Sequence, residues 1–188
     1  SPGHCNTMGT ASTMNSLAEA LGMSLTGCAA PPAPHKERAV MAYETGKRIV
    51  EMVWEDLRPS KVLTREAFEN AIRVLAAIGG STNAVIHLIA IAGRLGIQLT
   101  VDDFERLGSE MPCLVNLQPS GEHLMEDFCY AGGIPVVMKE ILHHLHGDAL
   151  TVSGHTVAEN VAPAQNYNPE VIKSLAQPFK DKAGIAVL

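Results

Sequence analysis

The stretch from Thr64 to Gly96 limits the possible folds more than any other part of the chain. Ala67, Phe68, Ala71, Ile72, Leu75 and Ile78 recur at helical spacing and define one apolar face. Thr64 stands where an N-cap belongs, and Glu66 falls in the first turn, where a carboxylate complements the helix dipole. After Gly79-Gly80-Ser81-Thr82-Asn83 comes Ala84 to Leu95, apolar on almost every side and stopped by Gly96. A helix that is apolar all round belongs at the centre of a domain. The sequence therefore predicts a helix-rich body built around 84–95, with His87 as a core histidine. The joining segment reads in two ways. Ser81, Thr82 and Asn83 are candidate anion or substrate contacts, because a helix N-terminus offers free N–H groups. The same residues also make a tight helix–helix turn with Ser81 as N-cap. The absence of the lysine and spacing of a phosphate loop favours the turn.

The flanking chain continues the helical theme. Met14, Leu17, Ala18 and Leu21 mark a short helix with Gly22 as its stop. Residues 23–34 form a loop, since Pro31, Pro32 and Pro34 exclude a regular helix. From Lys36 to Leu57, Ala39, Tyr43, Gly46, Ile49, Val50, Val53 and Leu57 make one face, which is expected to be buried with Trp54 as a core anchor. Thr100 and Asp103 form a capping box for a helix over 101–107. Helices are also expected over 122–131, from Pro135 to about 145, over 156–161 and near 170–175. Short apolar strands are expected at 113–117, 149–153 and 184–188. The fold class is α/β and helix-rich: several packed helices with a few short strands, part of a larger N-terminal α/β domain.

Composition narrows function. The chain has 188 residues, 46% of them apolar, and a net charge of −6. That suits a globular protein with a real core. No Lys/Arg-rich run suggests a nucleic-acid or membrane partner. No apolar run approaches a membrane span, and no signal peptide is visible. Cys5, Cys28, Cys113 and Cys129 are widely spaced, without the CxxC pairs of a zinc site or the density of a disulfide framework. A reducing cytoplasm is the expected location. The apolar run at 184–188 and the absence of an initiator Met give the expectation of an internal segment of a longer protein.

Chemistry concentrates at the start. Cys5 sits in Gly3-His4-Cys5-Asn6-Thr7-Met8-Gly9-Thr10-Ala11-Ser12-Thr13-Met14. The small residues allow close approach of a bulky group, and Thr10, Ser12 and Thr13 are positioned to cap the next helix. A cysteine at a helix N-terminus favours the thiolate, so Cys5 reads as a metal or cluster ligand, a reactive thiol or a small packed cysteine. His143, His144 and His146 invite a zinc reading, but histidines at a helix C-terminus explain them adequately. Glu122, Glu126 and Asp127 read as dipole partners of a helix rather than as acids in catalysis.

Taken in order, several blocks resemble the iron–sulfur dehydratases of dihydroxy acids and sugar acids. They are the opening motif, Glu19-Ala20-Leu21-Gly22, Leu63 to Ile72, Ile78-Gly79-Gly80-Ser81-Thr82-Asn83-Ala84 and Pro119-Ser120-Gly121. Met125-Glu126-Asp127-Phe128, Ala131-Gly132-Gly133-Ile134-Pro135 and His146 to Val152 complete the set. The resemblance implies that Cys5 is one ligand of a 2Fe-2S cluster. It also implies that the other two cysteines, the Mg2+ ligands and the catalytic base lie outside this segment. Residues 1–161 would be part of the cluster-binding α/β domain, and 162–188 a connector and first strand leading into a C-terminal domain. Pro32 to Arg38, Tyr43 to Gly46 and Met52 to Leu57 are similar to the pentonate dehydratases. The implied reaction is dehydration of a sugar acid, a 2,3-dihydroxy carboxylate, to a 2-keto-3-deoxy acid. The alternatives are a branched-chain dihydroxy-acid dehydratase, or a non-catalytic helical packing or dimerisation module carried by 84–95. A homodimer or homotetramer is the expected assembly.

Overall fold

The computed structural model describes residues 5–183. The strand expected at 184–188 and the first two residues of the opening motif lie outside them. Among the described residues the chain is helical, with almost no sheet. The helices are α1 (Thr10–Ala20), α2 (Lys36–Trp54), α3 (Pro59–Val62), α4 (Arg65–Ala77), α5 (Asn83–Arg94), α6 (Val101–Gly108), α7 (Met125–Ala131), α8 (Gly133–Glu140) and α9 (Val157–Val161). A single 3-10 turn, Leu142–His144, follows α8. None of these helices is long and apolar enough to cross a membrane.

The centre of the body is α4, not α5. Nine residues of α4 are buried, among them Phe68, Ala71, Ile72 and Leu75, and it packs against α1, α5, α6 and α8. Its alanines let neighbours approach on several sides at once. The Thr64 hydroxyl accepts from the Ala67 N–H at 3.4 Å, the cap expected at this end. In contrast, α5 buries only Ala84, Leu88 and Ala92. These recur every fourth residue and form a stripe one residue wide. Ile86 is 65% exposed, and His87 faces solvent rather than the core. Uniform apolarity removed the periodic signal that would have shown which side packs.

Two further expectations are corrected. The apolar face of α2 is not buried: only Met52 is, and Trp54 is 85% exposed. The helix is held from its other side. Met52 joins Leu57, Val62 and Val152 in a small satellite core. The Arg48 guanidinium donates to the Val152 carbonyl at 2.6 Å and pairs with Glu51 and Glu55. The segments 113–117 and 149–153 are not ladder strands. The first is extended and buried, but it makes only single bridges, Cys113 with Lys180, Val115 with Ile172 and Leu117 with His123. The second makes one bridge, Leu150 with Thr156, closing a turn. Alternation gives an extended backbone, but a ladder needs a partner strand in register.

Smaller differences have local causes. Helix α7 starts at Met125, because Leu117 to Leu124 is taken up by the turn that carries Pro119. Helix α8 ends at Glu140, and the three histidines follow it in the 3-10 turn and the loop beyond. Residues 170–175 form turns and not a helix. Val171 and Ile172 are nonetheless fully buried in the main core. The capping box at Thr100/Asp103 forms as expected, and a second one forms at Thr156/Glu159.

One buried charge ties the first helix to the loop after it. Glu19 accepts from the Gly27 N–H at 2.6 Å and the Ala29 N–H at 2.9 Å, satisfying a loop that has no regular structure of its own. Burial pushes its carboxyl up to about 7, against the pull of the two donors. Between the ordinary value of 4.5 and about 7 the folded state holds a proton that the unfolded chain has released. Stability is therefore expected to fall as pH rises through that window, by about 3 kcal/mol in total, and to level off above it. Urea unfolding across the window checks this. Glu19→Gln should flatten the slope, and an unchanged slope would contradict the assignment.

Candidate functional site

Cys5 begins the described chain and is half-buried. Its sulfur lies 3.4 Å from the Thr7 hydroxyl. The hydrogen bond from that hydroxyl, helped by the Thr7 backbone, holds the thiol below its usual range despite the opposing effect of burial. Burial instead pushes the thiols of Cys28, Cys113 and Cys129 up. Cys5 is thus the described cysteine whose surroundings favour the thiolate, the form that ligates metals. A Cβ added at Gly9 would sit 3.6 Å from the Cys5 sulfur, so the glycine leaves open space beside it.

The loop carrying Cys5 is pinned from two other parts of the chain. The Met8 N–H donates to the Gln118 carbonyl at 2.7 Å, and the Met125 N–H at the start of α7 donates to the Asn6 carbonyl at 3.0 Å. Inside the loop, the Ser12 hydroxyl donates to the Thr7 carbonyl at 2.8 Å. The Pro119-Ser120-Gly121 turn and α7 therefore act as a frame for the cysteine. Periodicity shows nothing of this pairing, because it joins residues more than a hundred positions apart.

The hydroxyls expected to cap α1 have another task. Its N-cap is Gly9, without a side-chain hydrogen bond. Thr10 and Thr13 reach instead to the turn before α5. The Ser81 N–H donates to the Thr13 hydroxyl at 3.0 Å, the Asn83 side-chain amide donates to the Thr10 hydroxyl at 2.7 Å, and the Thr10 and Ser81 hydroxyls lie 3.1 Å apart. The structure thus brings Ser81 and Asn83 together with the helix that follows Cys5. Thr82 is exposed beside them. The Asn83 N–H is already engaged by the Ser81 hydroxyl at 3.3 Å, and the Ala84 N–H by the Ser81 carbonyl at 3.0 Å. Donors committed in this way favour the turn reading of 79–83. Gly80 makes the clamp possible, since an added Cβ would fall 2.6 Å from a Leu75 methyl and 2.9 Å from that of Thr13.

Against this turn lies a cleft of about 210 Å³ lined by Gly79, Gly80, Cys113, Ser120 and Lys180. No local spacing joins Ser120 or Lys180 to the turn. The Pro-Ser-Gly block was the one signal pointing there.

The remaining candidates stay apart. His146 pairs with Glu69 at 2.9 Å, and its backbone is gripped by both ends of the buried Asn70 amide. The His143 and His144 rings lie against each other, tilted at 44° with centroids 4.0 Å apart. Glu126 lies beside His35, and Asp127 accepts the Leu124 N–H at 2.8 Å, the dipole role expected of it. Among the described residues no three His, Cys, Asp or Glu side chains are grouped to hold a metal ion. Cys5 fits a thiolate ligand by its exposure and hydrogen bonding, but it is one donor and needs others from elsewhere.

Comparison with known proteins shows the family. A family model described as dihydroxy-acid/6-phosphogluconate dehydratase N-terminal matches residues 1–160. The chain is 58% identical to an L-arabinonate dehydratase of Rhizobium leguminosarum bv. trifolii, covering 100% of this chain and 33% of that protein. It is 53% identical to a D-xylonate dehydratase of Caulobacter vibrioides, covering 100% of this chain and 32% of that protein. A dihydroxy-acid dehydratase of Mycobacterium tuberculosis is 49% identical, covering 99% of this chain and 33% of that protein. The chain therefore spans about a third of the length of these relatives. With the family model matched over residues 1–160, the chain belongs to the dihydroxy-acid/6-phosphogluconate dehydratase family, in its N-terminal part.

Proposed function

We propose that this chain is the cysteine-bearing part of a longer sugar-acid dehydratase. In this reading the enzyme converts a 2,3-dihydroxy carboxylate to a 2-keto-3-deoxy acid, and Cys5 is one of the ligands of a 2Fe-2S cluster. The single observation that carries the assignment of Cys5 is its setting: a half-exposed thiol that Thr7 favours as thiolate, in a loop pinned at Met8 and Asn6. When bound, the cluster supplies a Lewis acid to polarise a hydroxyl that is otherwise a poor leaving group. This chain's own residues do the positioning. Thr7 holds the sulfur, the Gln118 carbonyl and the Met125 N–H fix the loop, and Gly9 keeps the space beside the sulfur open. Preorganisation of this kind is what a supporting shell gives a metal centre. The other cluster ligands, the Mg2+ ligands and the base come from the remaining two-thirds of the longer protein. A reducing cytoplasm fits free thiols and a cluster of this type.

Sugar acids are placed before branched-chain dihydroxy acids because the arabinonate and xylonate dehydratases share 58% and 53% identity with this chain, against 49% for the dihydroxy-acid dehydratase. The test is dehydration by the iron-loaded intact protein of arabinonate, xylonate and 2,3-dihydroxyisovalerate, followed by 2-keto acid formation. Preference for a pentonate is the expected result. Exclusive use of the branched substrate would move the protein to the second reading, and no dehydration of any of the three would overturn both.

A further inference from the structure

Away from the cysteine loop, one small cavity gathers polar side chains around a buried charge. It lies between the loop after α1 and the turn at 149–160, and the two are joined where the Val152 N–H donates to the Gly22 carbonyl at 2.8 Å. Glu19, Ser24, Thr26, Thr151 and Asn160 line it, and α8 and α9 close it with apolar side chains. Its volume of about 10 Å³ holds one water-sized body. Two of the lining groups have capacity to spare. The Ser24 hydroxyl oxygen is shielded from solvent and has no hydrogen-bond partner among the described residues. Each Glu19 carboxylate oxygen accepts one N–H, from Gly27 and from Ala29, and keeps a further lone pair. Thr151 and Asn160 are instead tied to each other, the Asn160 amide donating to the Thr151 hydroxyl at 2.8 Å.

We infer that this cavity binds one bare monovalent cation of about the size of potassium, held between the Glu19 carboxylate and the Ser24 hydroxyl. Charge favours an ion over water. Glu19 is 7% exposed, and among the described residues only burial and the two N–H groups act on its carboxyl. In the adjoining loop, burial keeps the Cys28 thiol protonated. The Arg38 guanidinium is spent on the Cys28 and Pro31 carbonyls. Neither α8 nor α9 turns a titratable side chain to the cavity. An ionised carboxylate in such a place is costly unless a countercharge reaches it. A proton meets that need below about pH 7, and a cation meets it above. Carboxylate and hydroxyl oxygens are ligands for a hard cation. A divalent ion would leave one charge unbalanced against a single carboxylate, and Mg2+ keeps waters for which there is no room. A bare potassium ion is close to a water molecule in size.

The test is hydrogen exchange of the intact protein at about pH 8.5, in potassium chloride against choline chloride at equal ionic strength. Mass spectrometry of peptides over 23–34 reads the Gly27 and Ala29 amides that bond Glu19. At a potassium concentration about ten times the dissociation constant, exchange there is expected to slow about tenfold. At about pH 5.5 Glu19 carries a proton, and no slowing is expected. Ser24→Ala removes one ligand at little risk to the fold and is expected to lose most of the effect. Glu19→Gln is expected to lose all of it. Equal exchange in potassium and choline at about pH 8.5 would overturn the proposal, as the mark of a cavity that holds water. Slowing that persists at about pH 5.5, or survives in full in either variant, would also overturn it, as a general effect of salt.

Discussion

Cys5→Ser in the intact protein is expected to remove bound iron and dehydratase activity together, lowering kcat/KM by about a hundredfold or more. The substitution is nearly isosteric, and the loop hydrogen bonds do not depend on the sulfur. The Met8–Gln118, Asn6–Met125 and Thr7–Ser12 bonds all involve backbone groups or other side chains. The fold should therefore persist, with an unchanged circular dichroism spectrum. What changes is the donor: a hydroxyl is a hard, neutral ligand, and iron–sulfur clusters select thiolate. Iron per chain, the visible absorbance of the cluster and turnover should fall in parallel. Cys28→Ser is the control, since its thiol lies by Arg38 and burial disfavours its thiolate. Cys5→Ser that keeps both iron and turnover would refute the assignment.

Gly121→Ala is expected to be the most damaging small substitution in the frame around that loop. An added Cβ would lie 2.6 Å from the Asn116 carbonyl carbon and 2.7 Å from the Leu117 nitrogen. Both are backbone atoms that cannot swing aside. The Asn116 side-chain oxygen, which accepts the Glu122 N–H at 2.9 Å, would be displaced as well. Overpacking against rigid atoms costs roughly 3 kcal/mol, on the order of 10 °C in Tm for a unit of this size. Because Gln118 in the same turn accepts the Met8 N–H, the loss should reach the cysteine loop, and iron retention should fall with stability. Thermal melts and iron content of the variant check both parts. A Tm within a degree or so of wild type would show that the turn can relax.

Capping was readable in the sequence wherever it is local. Thr64 and Thr100 with Asp103 each act over three residues, and each forms. The same reasoning failed for Thr10 and Thr13, because the turn at Ser81 competes for their hydroxyls from about seventy positions away. The Asn70 amide shows the same effect: its partner is the His146 backbone, and nothing near Asn70 in the sequence announces it. Helix α2 failed in the opposite direction. Its amphipathic pattern is real, but a pattern states which face avoids water and not what covers it.

By itself the sequence determined most of the helices, the local caps at Thr64 and Thr100, the loop character of 23–34 and the identity of Cys5 as the residue to watch. These follow from spacing over a few residues, where backbone geometry fixes which side chains are neighbours. The family also was legible, because long blocks stand in order along the chain. Tertiary structure alone decided that α4 and not α5 is central, that 113–117 is extended without a ladder, and that the turn at 79–83 clamps onto α1. It alone showed the Cys5 loop framed by Gln118 and Met125. Those outcomes depend on which surfaces meet once the chain is compact. Contact between distant residues is a property of packing, and no local spacing encodes it.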